Sequence, residues 1–215
     1  MNISEIRAIL FDLDGVLWNS LEVHESAYKE IFAKYGLPDL QYQEITGRST
    51  REVFNDFVKG KDLPNDRELV ESLVLEKQKL ARKNLAKVEV SKEIVNGLVL
   101  LKQYFRIALV SGTSAQSGAV FLGNFQKNFF DVTVFGDQGI PAKPRPDPFL
   151  RAAIILNVSP PSCIAVEDSK AGIESVRSAQ MELAHVTGPK PCSLSFSHMC
   201  FLKTEDFIAH ILDLC

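Results

Sequence analysis

Five short stretches of the chain are apolar at nearly every position, and each is bounded by polar or turn-forming residues. They are Ile6–Phe11, which stops abruptly at Asp12, then Arg106–Val110, Val132–Phe135, Cys163–Val166 and Leu183–Val186. A run without polar alternation predicts a strand buried on both faces, as in a parallel sheet. The intervening segments carry apolar residues at helical spacing. Ser114 is placed to cap a helix bearing Val120, Phe121 and Phe125. Asp147 and Pro148 read as a cap and a first-turn proline ahead of Phe149, Leu150, Ala153 and Ile154. Ser169 precedes Ile173, Val176 and Ala179, and Thr204 opens a last helix with Phe207, Ile208, Ile211 and Leu212. Strands alternating with helices predict an α/β fold: a Rossmann-like, mostly parallel sheet with helices on both faces.

One interval breaks the alternation. More than 90 residues separate the first two predicted strands, where a crossover helix needs only about a dozen. His24, Ala27, Tyr28, Ile31, Phe32 and Tyr35 share one helical face, which Gly36 is suited to end. Asn65 with Glu68 resembles a capping box ahead of Leu69, Leu73, Leu80 and Leu85. Residues 20–92 hold 13 acidic and 13 basic side chains, 26 of the chain's 51 charges. The surplus predicts a small all-helical insertion, residues 17–89, threaded into a core made of residues 1–16 and 90–215. Residues 187–203 carry no pattern that assigns them to an element.

Composition narrows the function classes. The 215 residues carry 24 Lys and Arg against 27 Asp and Glu, a formal net charge of −3. With no basic tract, the electrostatic footprint of a nucleic-acid binder is missing. No stretch approaches the roughly 18 uncharged apolar residues of a membrane span, and Met1–Arg7 does not read as a signal peptide. The expectation is a cytoplasmic protein, monomeric by default, with neither nucleic acid nor membrane as partner. Cys163, Cys192, Cys200 and Cys215 include no C-x-x-C pair, so four reduced thiols are expected rather than a disulfide or zinc framework.

Ligands of open α/β sheets bind at the carboxyl ends of the strands, so the residues just past each apolar run matter most. Asp12-Leu13-Asp14-Gly15 follows the first run, Ser111-Gly112-Thr113-Ser114 the second, and Glu167-Asp168-Ser169 the fourth, while Lys143 precedes a predicted helix. Each piece has an ordinary reading on its own: a turn, a capping turn, a strand end, a solvated lysine. An EF-hand opening at Asp12 fails because Val16 and Val23 would stand at ligand positions. Taken together, four carboxylates, a hydroxyl and an ammonium converge on one sheet edge. Such crowding of like charge calls for a hard divalent cation, most simply Mg²⁺, and the amides after Ser111 suit a phosphate at a helix N-terminus.

In this order, Phe11-Asp12-Leu13-Asp14-Gly15-Val16-Leu17, Val110-Ser111-Gly112, Lys143-Pro144-Arg145-Pro146-Asp147 and Val166-Glu167-Asp168-Ser169-Lys170-Ala171-Gly172 resemble the four motifs of the haloacid dehalogenase superfamily. The likeness is to its phosphatase and β-phosphoglucomutase branch, which has a helical cap after the first motif, and it spans essentially the whole chain. It implies Asp12 as a nucleophile that takes up phosphorus and Asp14 as the acid for the leaving oxygen and the base for water. It also implies a Mg²⁺ ion held by the Asp12 carboxylate, the Asp14 carbonyl and Asp168, with Glu167 in or next to that set. Ser111, the Gly112 amide and Lys143 would neutralise phosphoryl oxygens. An acid at position 14 speaks for phosphate esters rather than carbon–halogen or phosphonate bonds. In Thr46-Gly47-Arg48-Ser49-Thr50-Arg51, Arg48 or Arg51 could face substrate, and His24 resembles a position on the first cap helix. Gln180 stands where the family usually has glycine, so a different turn is expected there. The resemblance implies a Mg²⁺-dependent phosphatase acting on a small phosphorylated metabolite, such as a sugar phosphate or a phosphoglycolate-like compound. The alternatives are a phosphosugar mutase and a non-catalytic binding protein on the same fold.

Overall fold

The structure, a computed structural model, describes residues 2–37, 40–59, 67–192, 194–196 and 198–215. Asn65, half of the capping-box pattern, lies outside them.

Six parallel strands form one sheet: β1 (Ala8–Phe11), β2 (Arg106–Val110), β3 (Val132–Val134), β4 (Cys163–Glu167), β5 (Glu182–Val186) and β6 (Met199–Phe201). Their order across the sheet is β3-β2-β1-β4-β5-β6, the doubly wound arrangement whose switch point lies between β1 and β4. Alternation along β1 shows why its sequence is apolar throughout. Ile9 and Phe11 face a core shared with Leu98 and Leu101 of α5 (Lys92–Leu101), Phe121 of α6 (Ala115–Leu122), and Phe207 and Ile211 of α9 (Thr204–Asp213). Ala8 and Leu10 face the opposite core, filled by Phe149 and Ala153 of α7 (Asp147–Leu156) and Ile173 and Val176 of α8 (Lys170–Ser178). A strand covered by helices on both faces has no polar position to offer.

Among the described residues, four helices lie between β1 and α5: α1 (Leu21–Lys34), α2 (Tyr42–Ile45), α3 (Thr50–Lys59) and α4 (Arg67–Leu85). They enclose an apolar cluster of their own around Tyr28, Ile31, Phe32, Val53, Phe54, Leu73 and Val74. The two chain crossings that join this bundle to the sheet are tied together where the Trp18 indole N–H donates to the Val88 carbonyl at 3.1 Å. Among the described residues no helix is long and apolar enough to cross a membrane.

Several local details differ from the sequence reading. Tyr35 is not on the buried face; it ends α1 partly exposed, and its hydroxyl donates to Glu76. Asp147 is the first helical residue of α7 and not its cap, a place taken by Pro146. Gln180 keeps the left-handed turn that the missing glycine seemed to forbid, at φ 58°. Strand β6 had no sequence counterpart. It is three residues long on the sheet edge and only half buried, and Met199-Cys200-Phe201 is too short a run to mark a strand by itself. It also overturns the expectation of four separate thiols. Cys200 sits in β6, and the sulfurs of Cys192 and Cys200 come into bonding contact with their Cα atoms 6.3 Å apart. The eight-residue spacing of that pair is set by the fold and has no local signature. Cys163 and Cys215 are free.

Candidate active site

The strand register assembles the site. Phe11 pairs with Val166 and with Leu109, so Asp12, the next residue after β1, lies beside Glu167 at the end of β4 and near Ser111 after β2. Lys143, on the loop before α7, is only 1% exposed and reaches into this row. Its ammonium donates to Asp12 Oδ1 at 2.6 Å, to Glu167 Oε1 at 2.6 Å and to the Val110 carbonyl at 3.0 Å. Those are all three of its donors. Glu167 is fully buried, and its other oxygen accepts from the amides of Asp168 and Ser169 and from the Ser169 hydroxyl. Ser169 also caps α8 through the Gly172 amide at 3.0 Å, so the acidic pair is fixed to a helix start.

The electrostatics are those of an anionic cluster with one cation. Burial pushes Asp12 up to about 8; Lys143 opposes this, while Glu167 and Asp14 add to it. Asp168 is likewise held well above the usual carboxylate range by burial and by Glu167 and Asp12. Burial would lower Lys143, but the charges of Asp12 and Glu167 outweigh it and keep the ammonium protonated. Asp168 Oδ1 is buried without a hydrogen-bond partner, and oxygens of Asp12, Glu167 and Asp168 lie within 4.8 Å of one another. A Cβ on Gly15, whose φ is 92°, would overlap the Asp168 carboxylate, so only glycine leaves that space open. An orphaned hard oxygen among crowded carboxylates is the donor set of a divalent cation such as Mg²⁺, and these residues fit one.

Asp14 belongs to a different network. Its Oδ1 accepts from Ser20 Oγ at 2.5 Å and lies 3.1 Å from His24 Nε2, and its Oδ2 is 3.4 Å from Ser111 Oγ. His24 Nδ1 in turn faces the Lys77 ammonium at 2.9 Å. Lys77 also lies over the Tyr28 ring, 4.3 Å from its centroid. Burial alone would raise Asp14; the His24 and Ser20 contacts and the Lys77 charge outweigh it and bring it to about 2. Burial and the Lys77 charge lower His24, so a neutral imidazole accepts from Lys77 and donates to Asp14.

A cleft between the helical bundle and the sheet edge is lined by Asp12, Asp14, His24, Tyr42, Thr46, Gly47, Arg48, Lys77, Gly112 and Thr113, among others. The bundle's Gly47–Arg48 turn sits directly over Gly112 and Ser169, where a Cβ on either glycine would meet the opposite side. Arg48 lines the cleft, with its guanidinium on Asp56 at 2.5 Å. Arg51 does not line it: its side chain is half exposed and pairs with Glu71 on α4, because α3 turns it away from the sheet. Ser20 and Lys77 were missed in the sequence. Ser20 carried only a faint signal, lying six residues from Asp14; Lys77 looked like one of many helix-surface lysines.

The chain is similar to known proteins over most of its length. A family model described as haloacid dehalogenase-like hydrolase matches residues 9–186. A phosphorylated carbohydrates phosphatase from Thermotoga maritima is 29% identical over 94% of this chain and 97% of its own length. A fructose-1-phosphate phosphatase from Escherichia coli is 27% identical over 83% and 95%. The fold is that of a β-phosphoglucomutase from Clostridium difficile, with a TM-score of 0.82 and 24% identity over 97% of each chain.

Proposed function

The chain belongs to the haloacid dehalogenase-like hydrolases, and we propose that within that family it is a phosphatase of small phosphorylated metabolites, with sugar phosphates the foremost class. The relatives named as carbohydrate phosphatases support the substrate class. The observation that carries the chemistry is the separation of two neighbouring carboxylates into two environments, Asp12 on Lys143 and Asp14 on His24 and Ser20. Titratable pairs whose surroundings differ in this way divide nucleophilic and acid–base roles between them.

Asp12 attacks phosphorus, the ester P–O bond breaks, and the departing oxygen takes a proton from Asp14. Water, losing its proton to Asp14, then attacks the phosphorylated Asp12, and the phosphoryl group leaves as inorganic phosphate. In the free chain Asp14 is held ionised, ready for the second step; for the first, it must gain a proton as the substrate enters. The His24–Lys77 chain is the buried route from which one can come. Because all three donors of Lys143 are engaged, a phosphoryl group arriving at Asp12 would take over the bond now made to Asp12 Oδ1. The Ser111 hydroxyl and the Gly112 amide stand on the same rim to bind the other oxygens. Asp12, Asp168 and the Asp14 carbonyl would hold Mg²⁺, with Glu167 beside them, and the ion would offset phosphoryl charge. Residues 17–89 act as a cap over the core of 1–16 and 90–215.

A mutase reading draws on the closure of the Gly47–Arg48 turn against Gly112 and Ser169, since a transfer that excludes water needs a shut cap. Assay of the full chain against p-nitrophenyl phosphate and a panel of sugar phosphates decides between the two. Hydrolysis that requires Mg²⁺ and is abolished in Asp12→Asn is expected. A variant retaining a tenth or more of the activity overturns the nucleophile assignment, and conversion of a sugar 1-phosphate to its 6-phosphate faster than hydrolysis establishes the mutase.

A further inference from the structure

One and two strands over from Glu167, at the β6 side of the sheet, four soft or borderline ligands converge, His185 being the register partner of Glu167. His185 on β5 is the register partner of Cys200 on β6, so their side chains leave the same face of neighbouring strands. His198, two residues before Cys200, leaves on that face as well. Cys192 joins them from the stretch between β5 and β6. Ligand atoms of all four lie within 4.8 Å of one another, and His198 Nε2 is 2.9 Å from both sulfurs.

A simple cross-link between Cys192 and Cys200 would account for the sulfurs alone. It gives no reason for two imidazoles to be aimed at them. His198 Nδ1 lies 2.6 Å from the Phe196 carbonyl, the bond to a backbone oxygen that fixes the tautomer of a ligating histidine and leaves Nε2 free to coordinate. His185 Nδ1 is buried with no hydrogen-bond partner, a group that a bound ion would satisfy. We propose that, with both thiols reduced, His185, Cys192, His198 and Cys200 form a closed zinc site that pins Cys192 and His198 to the sheet edge. Two thiolates and two imidazoles are a tetrahedral zinc set, whose ligand atoms stand about 3.4–3.8 Å apart for the usual bond lengths. All four positions come from the chain, so the site has no open place for substrate and is structural. It shares no residue with the Asp12–Glu167–Asp168 cluster and stands whether or not the chain is a phosphatase.

The test uses the full-length chain, reduced and stripped of metal, titrated with Zn²⁺ and separately with Co²⁺. The expected result is one tightly held Zn²⁺ per chain. Co²⁺ should give the intense visible bands of tetrahedral coordination with thiolate charge transfer, bleached by added Zn²⁺. Cys200→Ser should weaken Zn²⁺ by more than about 100-fold, beyond the 10–100-fold typical of losing an outer-shell partner, and abolish the charge transfer. Should that variant not fold, the Co²⁺ spectrum of the unaltered chain decides alone. The proposal fails if Co²⁺ gives only a weak octahedral spectrum, or if Cys192→Ser/Cys200→Ser binds Zn²⁺ as tightly as the unaltered chain. It also fails if the two cysteines stay linked in strong reductant.

Discussion

Lys77 places its ammonium 2.9 Å from the Nδ1 of His24, a residue 53 positions earlier in the chain. That contact turns the other ring nitrogen toward Asp14 at 3.1 Å and ties a helix of the bundle to the carboxylates at the ends of the strands. Burial pushes the Lys77 ammonium down to about 8. Losing that charge weakens the bond to His24 and removes the proton the chain can pass towards Asp14, so phosphatase activity should fall as pH rises through about 8. In Lys77→Met, kcat should drop about 10–100-fold, the usual effect of removing a group that orients a first contact, and the basic limb should disappear. A purely structural lysine would lower activity without changing the shape of the pH profile.

The proton affinity of Asp12 predicts how metal and pH interact. Its folded value of about 8 stands above the ordinary 3.8, so the folded chain binds a proton more tightly than the unfolded one. Without metal, stability should therefore decline as pH rises from about 4 to 8 and level off above. Mg²⁺ among Asp12 and Asp168 removes the cause of that decline. The rise in Tm on adding Mg²⁺ should be small at pH 5 and largest near pH 8. An equal rise at both would show that the ion binds elsewhere.

The two arginines of the Thr46–Arg51 segment should separate cleanly. Arg48 lines the cleft and reaches Asp56, while Arg51 is held by Glu71 outside it. Arg48→Ala should raise KM for a sugar phosphate about tenfold or more, as expected for losing one hydrogen bond to a charged group. Arg51→Ala should leave kcat and KM within about twofold, since exposed ion pairs contribute little. Steady-state kinetics on both variants measures this directly, and a larger effect for Arg51→Ala would mean that the cap moves on α3 during turnover.

What was legible in the sequence followed from local rules. An apolar run ending at Asp12 marks a buried parallel strand, and the sheet rule then points to its carboxyl end, so Asp12, Asp14, Ser111 and Glu167 could be found with no structure. What depended on tertiary placement could not. Lys77 and His24 meet across two helices, and nothing near Lys77 sets it apart from Lys79 or Lys83. Strand β6, Met199–Phe201, lies partly exposed on the sheet edge and is too short for its apolar residues to stand out as a strand. The Cys192–Cys200 meeting depends on that strand being there. Gln180 misled in the opposite direction. Glycine is preferred at a left-handed turn but not obligatory, and the packing of α8 onto β5 holds Gln180 at φ 58° at a strain of about 1–2 kcal/mol.

Lys143 gives the sharpest test of how the site holds together. It is the only cation hydrogen-bonded to Asp12 or Glu167 among the described residues, and both carboxylates are almost fully buried. Lys143→Met keeps the stem's bulk against Phe149 and removes the charge, stranding two carboxylates that cannot reach water. Breaking a buried pair in this way costs about 3–5 kcal/mol. The loss should depend on pH in a definite direction. Where Asp12 is ionised the missing cation is felt in full; where Asp12 is protonated its share of that loss disappears. Denaturant unfolding without Mg²⁺ should therefore show a smaller destabilisation at pH 5 than at pH 8, and Lys143→Arg should not recover it, because a forked guanidinium does not fit the space of a compact ammonium. An equal loss at both pH values would assign Lys143 to packing and remove the electrostatic basis for its place beside the nucleophile.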